Sequence, residues 1–581
     1  MPRPLAPCAA LVALFCLTPP APAQTIYPID RAEILASGKF DLKVEFPGAP
    51  ASAATKVTIN GEDAAKVLGK PATFTEKEDG ANHSAYWIRD AVIAKPGRYT
   101  VEAMAGGKAA VTWEVFDTAG GGKAKNVILF IGDGLTIAHR TAARILSKGL
   151  VEGRFGGDLA MDDMPHMTLV STSGTDAIVT DSANSMTAYT TGHKSCVNAL
   201  GVYCSLSKNN LAHPRMETIT DLVKRSRGMA VGVVTNTEIE DATPAAMVAH
   251  TRRRADYNDI VEMFYAVKPD VIMGGGSPNF LPKSTPGSKR ADDVDYIKKF
   301  EEAGYKFVTT KSELAAANGA QKLLGLFNTG NVDGALDRFF LKKGSVDKFP
   351  DQPDLTDQVR AALVALSKND KGFVLMVESG RIDKYSHSLD WERAVYDTIM
   401  LDNAVKLAKD FPAGRDDTLV IVVADHAHPV SLIGTYNDDL PGQRLRDKLG
   451  IYEKSVVPNY PTPNAEGYPE KVDVSRRLAF MFGSYPDYCD TGHPYLEGEN
   501  VPAVASPNKD YVANEAYCGF PGAARRPGNL PASASQGVHS ADDVVLTASG
   551  PGAELFRGRI DNTKVFRIMA TALGLNPVPG E

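Results

Sequence analysis

From Asn126 onward, short apolar runs alternate with helix-patterned segments, and this alternation constrains the fold more than any other feature of the chain. Residues 127–131, 229–235, 271–273, 373–377 and 419–424 read as buried strands. Between them, 356–368 is typical of the helices: Thr356 can cap it, and Val359, Leu363 and Leu366 share one face. Continuous apolar strands separated by amphipathic helices predict an α/β fold, a central mainly parallel sheet flanked by helices on both faces. In such sheets ligands bind beyond the carboxyl ends of the strands, so the residues that follow each run deserve the closest reading.

The flanking sequence has a different texture. Residues 24–118 carry short runs at 40–46, 56–59, 85–88, 99–103 and 110–116, separated by turn residues such as Asn60-Gly61 and Pro96-Gly97. That pattern predicts a small all-β, immunoglobulin-like sandwich preceding the α/β unit. The Gly-rich stretch 119–125 reads as a flexible linker, leaving 126–581 as the α/β domain. Within it, 430–536 is rich in Pro, Gly, Asn and Tyr and reads as an insertion, a candidate cap. Residues 1–23 read as a secretory signal peptide: Arg3, an apolar run too short to span a bilayer, then Ala21-Pro22-Ala23 as the cleavage motif. Export implies a periplasmic or extracellular protein. Removing Cys8 and Cys16 leaves Cys196, Cys204, Cys489 and Cys518, an even set that favours two disulfides in an oxidising compartment. Of three connectivities, the local pairing Cys196–Cys204 and Cys489–Cys518 is favoured, and no C-x-x-C spacing supports a structural zinc site. With 63 basic against 70 acidic residues and no basic block, nothing predicts a nucleic-acid-binding module. No later segment reads as a membrane span.

The strand ends carry chemistry. Residues 127–131 lead into Gly132-Asp133-Gly134. Residues 373–377 lead to Glu378, with Asp383 and His387 close behind, and 419–424 leads to Asp425-His426. One acid at a strand end is unremarkable, because most are solvated or cap a helix. Three distant segments delivering carboxylates and imidazoles to one rim predict a metal site. Mixed Asp and His ligands suit zinc, and an oxygen-rich set suits magnesium. Two divalent ions about 4 Å apart are a common device for displacement at phosphorus. Ser182, in Thr180-Asp181-Ser182-Ala183, opens a helical segment ending at Gly192, where the helix dipole would favour an alkoxide. The same position also suits a plain helix cap.

These motifs together resemble the alkaline phosphatase family. The resemblance rests on Ile131-Gly132-Asp133-Gly134, Thr180-Asp181-Ser182-Ala183, Asp241-Ala242-Thr243-Pro244-Ala245, Glu378-Ser379-Gly380-Arg381-Ile382-Asp383 and Ala424-Asp425-His426-Ala427-His428, in that order. It covers roughly 126–581, apart from the insertion. It implies that Asp383, His387 and His539 hold one zinc, that Asp133, Asp425 and His426 hold a second, and that Asp133, Thr243 and Glu378 hold magnesium. Ser182 would be the phosphorylated nucleophile and Arg254 the phosphate clamp, although Arg252 and Arg253 lie beside it. Asp181, Asp241, Lys384 and His428 would support these groups. The implied reaction is hydrolysis of phosphate monoesters through a phosphoserine, with a homodimer expected from the family. A diesterase of the same superfamily and a non-catalytic surface binding protein are the alternatives. Sulfatase relatives need C-x-P-x-R, which the chain lacks around Cys196.

Overall fold

The computed structural model describes residues 24–411 and 416–575; the expected signal peptide lies outside them. A ten-stranded sheet forms the centre of the molecule. In chain order its strands are β1 (Asn126–Gly132), β2 (His166–Ser171), β3 (Ala230–Glu238), β4 (Val271–Gly275), β5 (Lys306–Val308), β6 (Leu323–Leu326), β7 (Phe373–Ser379), β8 (Thr418–Val423), β9 (Val544–Ser549) and β10 (Arg559–Asp561). Their spatial order is β5-β6-β4-β3-β7-β1-β8-β9-β2-β10. Only β9 runs against its neighbours β8 and β2, so the sheet is mixed but mainly parallel. Every residue of β1 and β7 is buried, as expected for strands covered on both faces.

Register sets the site. Ile131 of β1 pairs with Glu378 on β7 and with Val423 on β8, and Thr235 of β3 also pairs with Glu378. The strands therefore end level, and the residues after them emerge side by side. The helix expected at 356–368 spans Leu355–Leu366, and its cap is Asp354 rather than Thr356. Asp354 accepts from the Asp357 amide at 2.8 Å, a charge-assisted bond that outcompetes a threonine two residues later.

Residues 24–116 fold around their own core. One sheet pairs Thr25–Tyr27, Phe40–Pro47, His83–Ala91 and Thr73–Thr75. A second pairs Glu33–Leu35, Lys108–Phe116, Gly97–Met104, Lys56–Ile59 and Glu62–Asp63. Leu42, Val44, Phe46, Val101 and Trp113 are fully buried in this core. Trp113 meets Phe40 edge-on at 5.4 Å and donates its indole N–H to the Pro28 carbonyl.

The Gly-rich crossing is docked rather than free. Gly122 donates to the Thr571 carbonyl at 3.0 Å, Ala124 to Ala572 at 2.9 Å, and Lys125 to Asp417 at 2.7 Å. Residues 430–526 form small sheets, with Cys489 bonded to Cys518 as Cys196 is to Cys204. Among the described residues no helix is long and apolar enough to cross a membrane.

A side chain at Gly121 would place its Cβ 1.9 Å from the Thr571 carbonyl oxygen. Gly121→Ala must therefore displace the crossing, at a cost of about 1–3 kcal/mol. Chemical denaturation is expected to show a lower midpoint; an unchanged midpoint would mean the crossing is loose.

Candidate active site

Four strand ends build the site. Asp133 follows β1, Glu378 lies in β7, Asp425 and His426 follow β8, and β3 leads through Asp241 to Thr243 on the short helix Ala242–Ala245. Asp133, Thr243, Glu378, Asp383, Asp425 and His426 are all buried. Gly134 makes the first turn possible: its φ is +65°, and a Cβ there would lie 2.6 Å from the His428 ring.

Asp383 is the hub of one cluster. Its Oδ1 lies 2.7 Å from His428 Nε2 and 3.3 Å from the Nε2 atoms of both His387 and His539. His387 Nδ1 faces the Gly537 carbonyl at 2.6 Å, and His539 Nδ1 faces the Thr180 carbonyl at 2.9 Å. Those carbonyls can only accept, so each Nδ1 carries a proton, and in the neutral ring this leaves Nε2 as the lone-pair donor toward the cluster. The two Nε2 atoms are 3.0 Å apart, a spacing natural for ligands of a common cation. The potential ligand atoms of Asp383, His387, His428 and His539 all lie within 4.8 Å of one another. Asp133, Asp383 and His426 form a second such group, with His426 Nε2 3.0 Å from Asp133 Oδ1.

Electrostatics points the same way. Burial, reinforced by Asp383 and Asp425, pushes the Asp133 carboxyl well above the usual carboxylate range. Burial and Asp383 push Asp425 up to about 7. Burial likewise raises Glu378, although Thr235 and Thr237 donate hydroxyl bonds to it. Carboxylates packed this way resist ionising together, and a divalent cation removes the conflict. Thr243 Oγ1, Asp425 Oδ2 and His426 Nδ1 are buried without a well-aligned hydrogen-bond partner among the described residues. Oxygen and imidazole donors left open in this way fit resident metal ions.

Ser182 is the first residue of the helix Ser182–Thr191, and Asp181 is its cap, with its side chain accepting from the Asn184 amide. Capping therefore does not occupy the Ser182 hydroxyl. Its Oγ is buried and lies 3.2 Å from His426 Nε2. Arg254 reaches the residue before Ser182. Its guanidinium donates to Asp181 Oδ2 at 3.2 Å and to Asp241 Oδ1 at 2.8 Å. Arg252 instead donates to the Val197 carbonyl, and Arg253 is mostly exposed beside Asp256. Lys384 Nζ reaches Asp241 Oδ2 at 2.8 Å, and the Tyr257 hydroxyl lies 3.3 Å from Asp241 Oδ1. All sequence-nominated residues thus converge on one place. Missing from the sequence reading were the props: Thr235 and Thr237 under Glu378, Tyr257 on Asp241, and Asn236, whose Oδ1 accepts the amides of Gly380 and Arg381. Only the proximity of the first two and Asn236 to a strand end could have drawn attention to them.

This constellation gathers carboxylates, imidazoles and a buried serine hydroxyl at the strand ends, a set able to hold metal ions, and the chain is similar to known enzymes. A family model described as alkaline phosphatase matches residues 124–575. The chain is 32% identical over 493 residues to the tissue-nonspecific alkaline phosphatase isozyme of Gallus gallus, covering 78% of this chain and 85% of that protein. It is 30% identical over 489 residues to an alkaline phosphatase of Gadus morhua, covering 78% and 92%. Its fold is similar to the crystal structure of Thermus thermophilus alkaline phosphatase, with a TM-score of 0.55 and 26% identity over 79% of this chain and 93% of that one. The chain belongs to the alkaline phosphatase family, and the matched region contains every residue of the site just described.

Asp241 offers a test of the site's electrostatics. Burial alone would raise its carboxyl, but Lys384 and Arg254 hold it far below the ordinary value. Its ionisation therefore contributes stability that is present above the unfolded value of about 3.9 and is lost as pH falls through the folded one. In metal-free protein Asp241→Asn is expected to cost about 1–3 kcal/mol at pH 7, because it leaves two half-buried cations short of a partner. Denaturation at pH 3 should show a smaller difference; an equal cost at both pH values would contradict the ion-pair account.

Proposed function

We propose that the protein hydrolyses phosphate monoesters to an alcohol and inorganic phosphate through a phosphoserine at Ser182. The observation that carries this reading is the buried Ser182 Oγ at a helix N-terminus, 3.2 Å from His426 Nε2, with the Arg254 guanidinium bonded to the adjoining Asp181. Asp383, His387 and His539 would hold one zinc, Asp133, Asp425 and His426 a second, and Asp133, Thr243 and Glu378 a magnesium. When bound, these ions supply Lewis-acid stabilisation to the serine oxygen and to the departing alkoxide.

The chain's own groups do the rest. Arg254, steadied by Asp181 and Asp241, offers a planar fork to two non-bridging phosphoryl oxygens. Ser182 Oγ attacks phosphorus and the alcohol leaves; water then cleaves the phosphoserine and restores the hydroxyl. The amides of the first helical turn, together with the dipole, favour negative charge at Ser182 in both steps. Lys384 adds positive charge next to Asp241, within reach of phosphate through water. His428 holds Asp383 in orientation through its 2.7 Å bond. Because recognition centres on the phosphoryl group, the substrate range is broad. A diesterase reading is disfavoured by the arginine clamp, which suits a dianionic terminal phosphate.

The wider organisation follows the same reading. Residues 24–118 form an immunoglobulin-like sandwich, 126–581 the catalytic domain, and 430–536 an insertion that buttresses it. The contacts of Glu499 with Arg381 and of Asn500 with Asp390 support that role. Two disulfides and the residue 1–23 motif support export to the periplasm or beyond, and family membership supports a homodimer.

Exhaustive chelation should abolish hydrolysis of an aryl phosphate, and zinc with magnesium should restore it; full activity after verified metal removal would refute the metal-dependent reading. Arg254→Ala should cost about 2–5 kcal/mol in kcat/KM for monoesters and less for diesters, whose phosphorus offers fewer charged oxygens. Equal losses for the two substrate classes would remove Arg254 from the clamp.

A further inference from the structure

Between the nucleophile helix and the next helix of the chain lies a long segment that the catalytic reading leaves unused. We propose that residues 196–217 form a strut through which the N-terminal β unit holds Arg254 in place, with Asn198 as the positioning residue. The proposal rests on the reading of Arg254 as the phosphate clamp.

At the site end, Asn198 touches both halves of the clamp through its backbone. Its amide donates to Asp181 Oδ2 at 3.2 Å, the same oxygen that accepts from Arg254. Its carbonyl accepts from the Arg254 amide at 2.8 Å. The neighbouring Val197 carbonyl accepts from Arg252 at 3.0 Å, and the Val197 amide donates to Asp176 at 3.0 Å. Asn198 has φ of +68°, a left-handed backbone that asparagine tolerates and β-branched residues do not. The Cys196–Cys204 disulfide closes the turn that presents it.

From there, antiparallel backbone bridges run outward in sequence: Leu200 with Thr251, Val202 with Arg215, and Met216 with Phe40 of the N-terminal unit. The far end is gripped firmly. Arg215 exchanges bonds with Asp41, its amide donating to Asp41 Oδ2 and its carbonyl accepting from the Asp41 amide, each at 3.0 Å. The Tyr27 hydroxyl donates to the Cys204 carbonyl at 2.9 Å, and the Leu206 amide donates to Glu45 Oε1 at 2.8 Å. Lys43, fully buried, donates to Ser205 Oγ at 3.0 Å while lying 2.7 Å from Glu45 and 2.8 Å from Glu78. Glu45, Glu78 and His83 could be mistaken for a metal site, but the Lys43 ammonium already sits between the two carboxylates. A segment anchored to two bodies by backbone pairing and pinched by a disulfide has little slack. Its placement fixes where the Arg254 main chain sits relative to Asp181 and hence to Ser182.

The test uses the full-length, metal-loaded protein and reads phosphate binding by calorimetry, together with kcat and KM for an aryl phosphate. Asn198→Val, which disfavours the left-handed backbone, should weaken inorganic phosphate binding by about tenfold. KM should rise more than kcat falls, with metal content unchanged. Asn198→Gly, which adopts the same backbone freely, should recover most of the lost phosphate affinity. Unaltered phosphate affinity in a folded, metal-loaded Asn198→Val protein would overturn the strut. Should that variant not fold, the paired change Tyr27→Phe and Ser205→Ala loosens the far end and should shift phosphate affinity in the same direction; no shift there also overturns it. Arg254→Ala is measured alongside. If it leaves phosphate binding intact, the clamp reading itself has failed, whereas loss with Arg254→Ala and none with Asn198→Val condemns the strut alone.

Discussion

Negative charge buried at the carboxyl ends of parallel strands is the constraint on which the structure turns. Asp133, Asp383 and Asp425 share one site, and burial with mutual repulsion raises two of them. Asp383 goes the other way. Burial would raise it, but His387, His428 and His539 pull it well below the usual range. Imidazoles supply only part of the balance: Asp383 raises His387 against the effect of burial, but burial lowers His426 and His428. Divalent cations would resolve the imbalance, and the same cations would make a serine hydroxyl a competent nucleophile.

The scaffold explains how such a set is assembled. Level strand ends bring residues far apart in sequence into contact, and each reactive side chain is then steadied from behind. Carbonyls of Gly537 and Thr180 orient two imidazoles, threonines hold Glu378, and Asp241 ties Arg254 to Lys384. The N-terminal β unit joins this scheme through its pairing with residues 204–217, so it is packed against the catalytic core rather than tethered by a loose chain.

Much of this was legible in the sequence because two strong signals coincide. Buried parallel strands need unbroken apolar runs, and ligands need specific residue types directly after them. Asp133, Glu378, Asp425 and His426 satisfy both conditions. The short strands Lys306–Val308, Leu323–Leu326 and Arg559–Asp561 were not legible, since three or four residues carry too little periodicity. Helix starts were read slightly late: Asp181 and Asp354 are the caps, whereas Ser182 and Thr356 lie inside their helices. The role of Asn198 was invisible because its contacts are made by backbone atoms, which every residue shares. Docking of the Gly-rich crossing was equally hidden, because glycine permits both a free chain and a close approach.

The most direct test of the account is to find where phosphate goes during turnover. Metal-loaded protein would be mixed with a labelled phosphate monoester, quenched in acid and digested, and the labelled peptide sequenced. The account predicts covalent phosphate on Ser182, lost in Ser182→Ala. Label on any other residue, or turnover of the Ser182→Ala protein at the native rate, would contradict it.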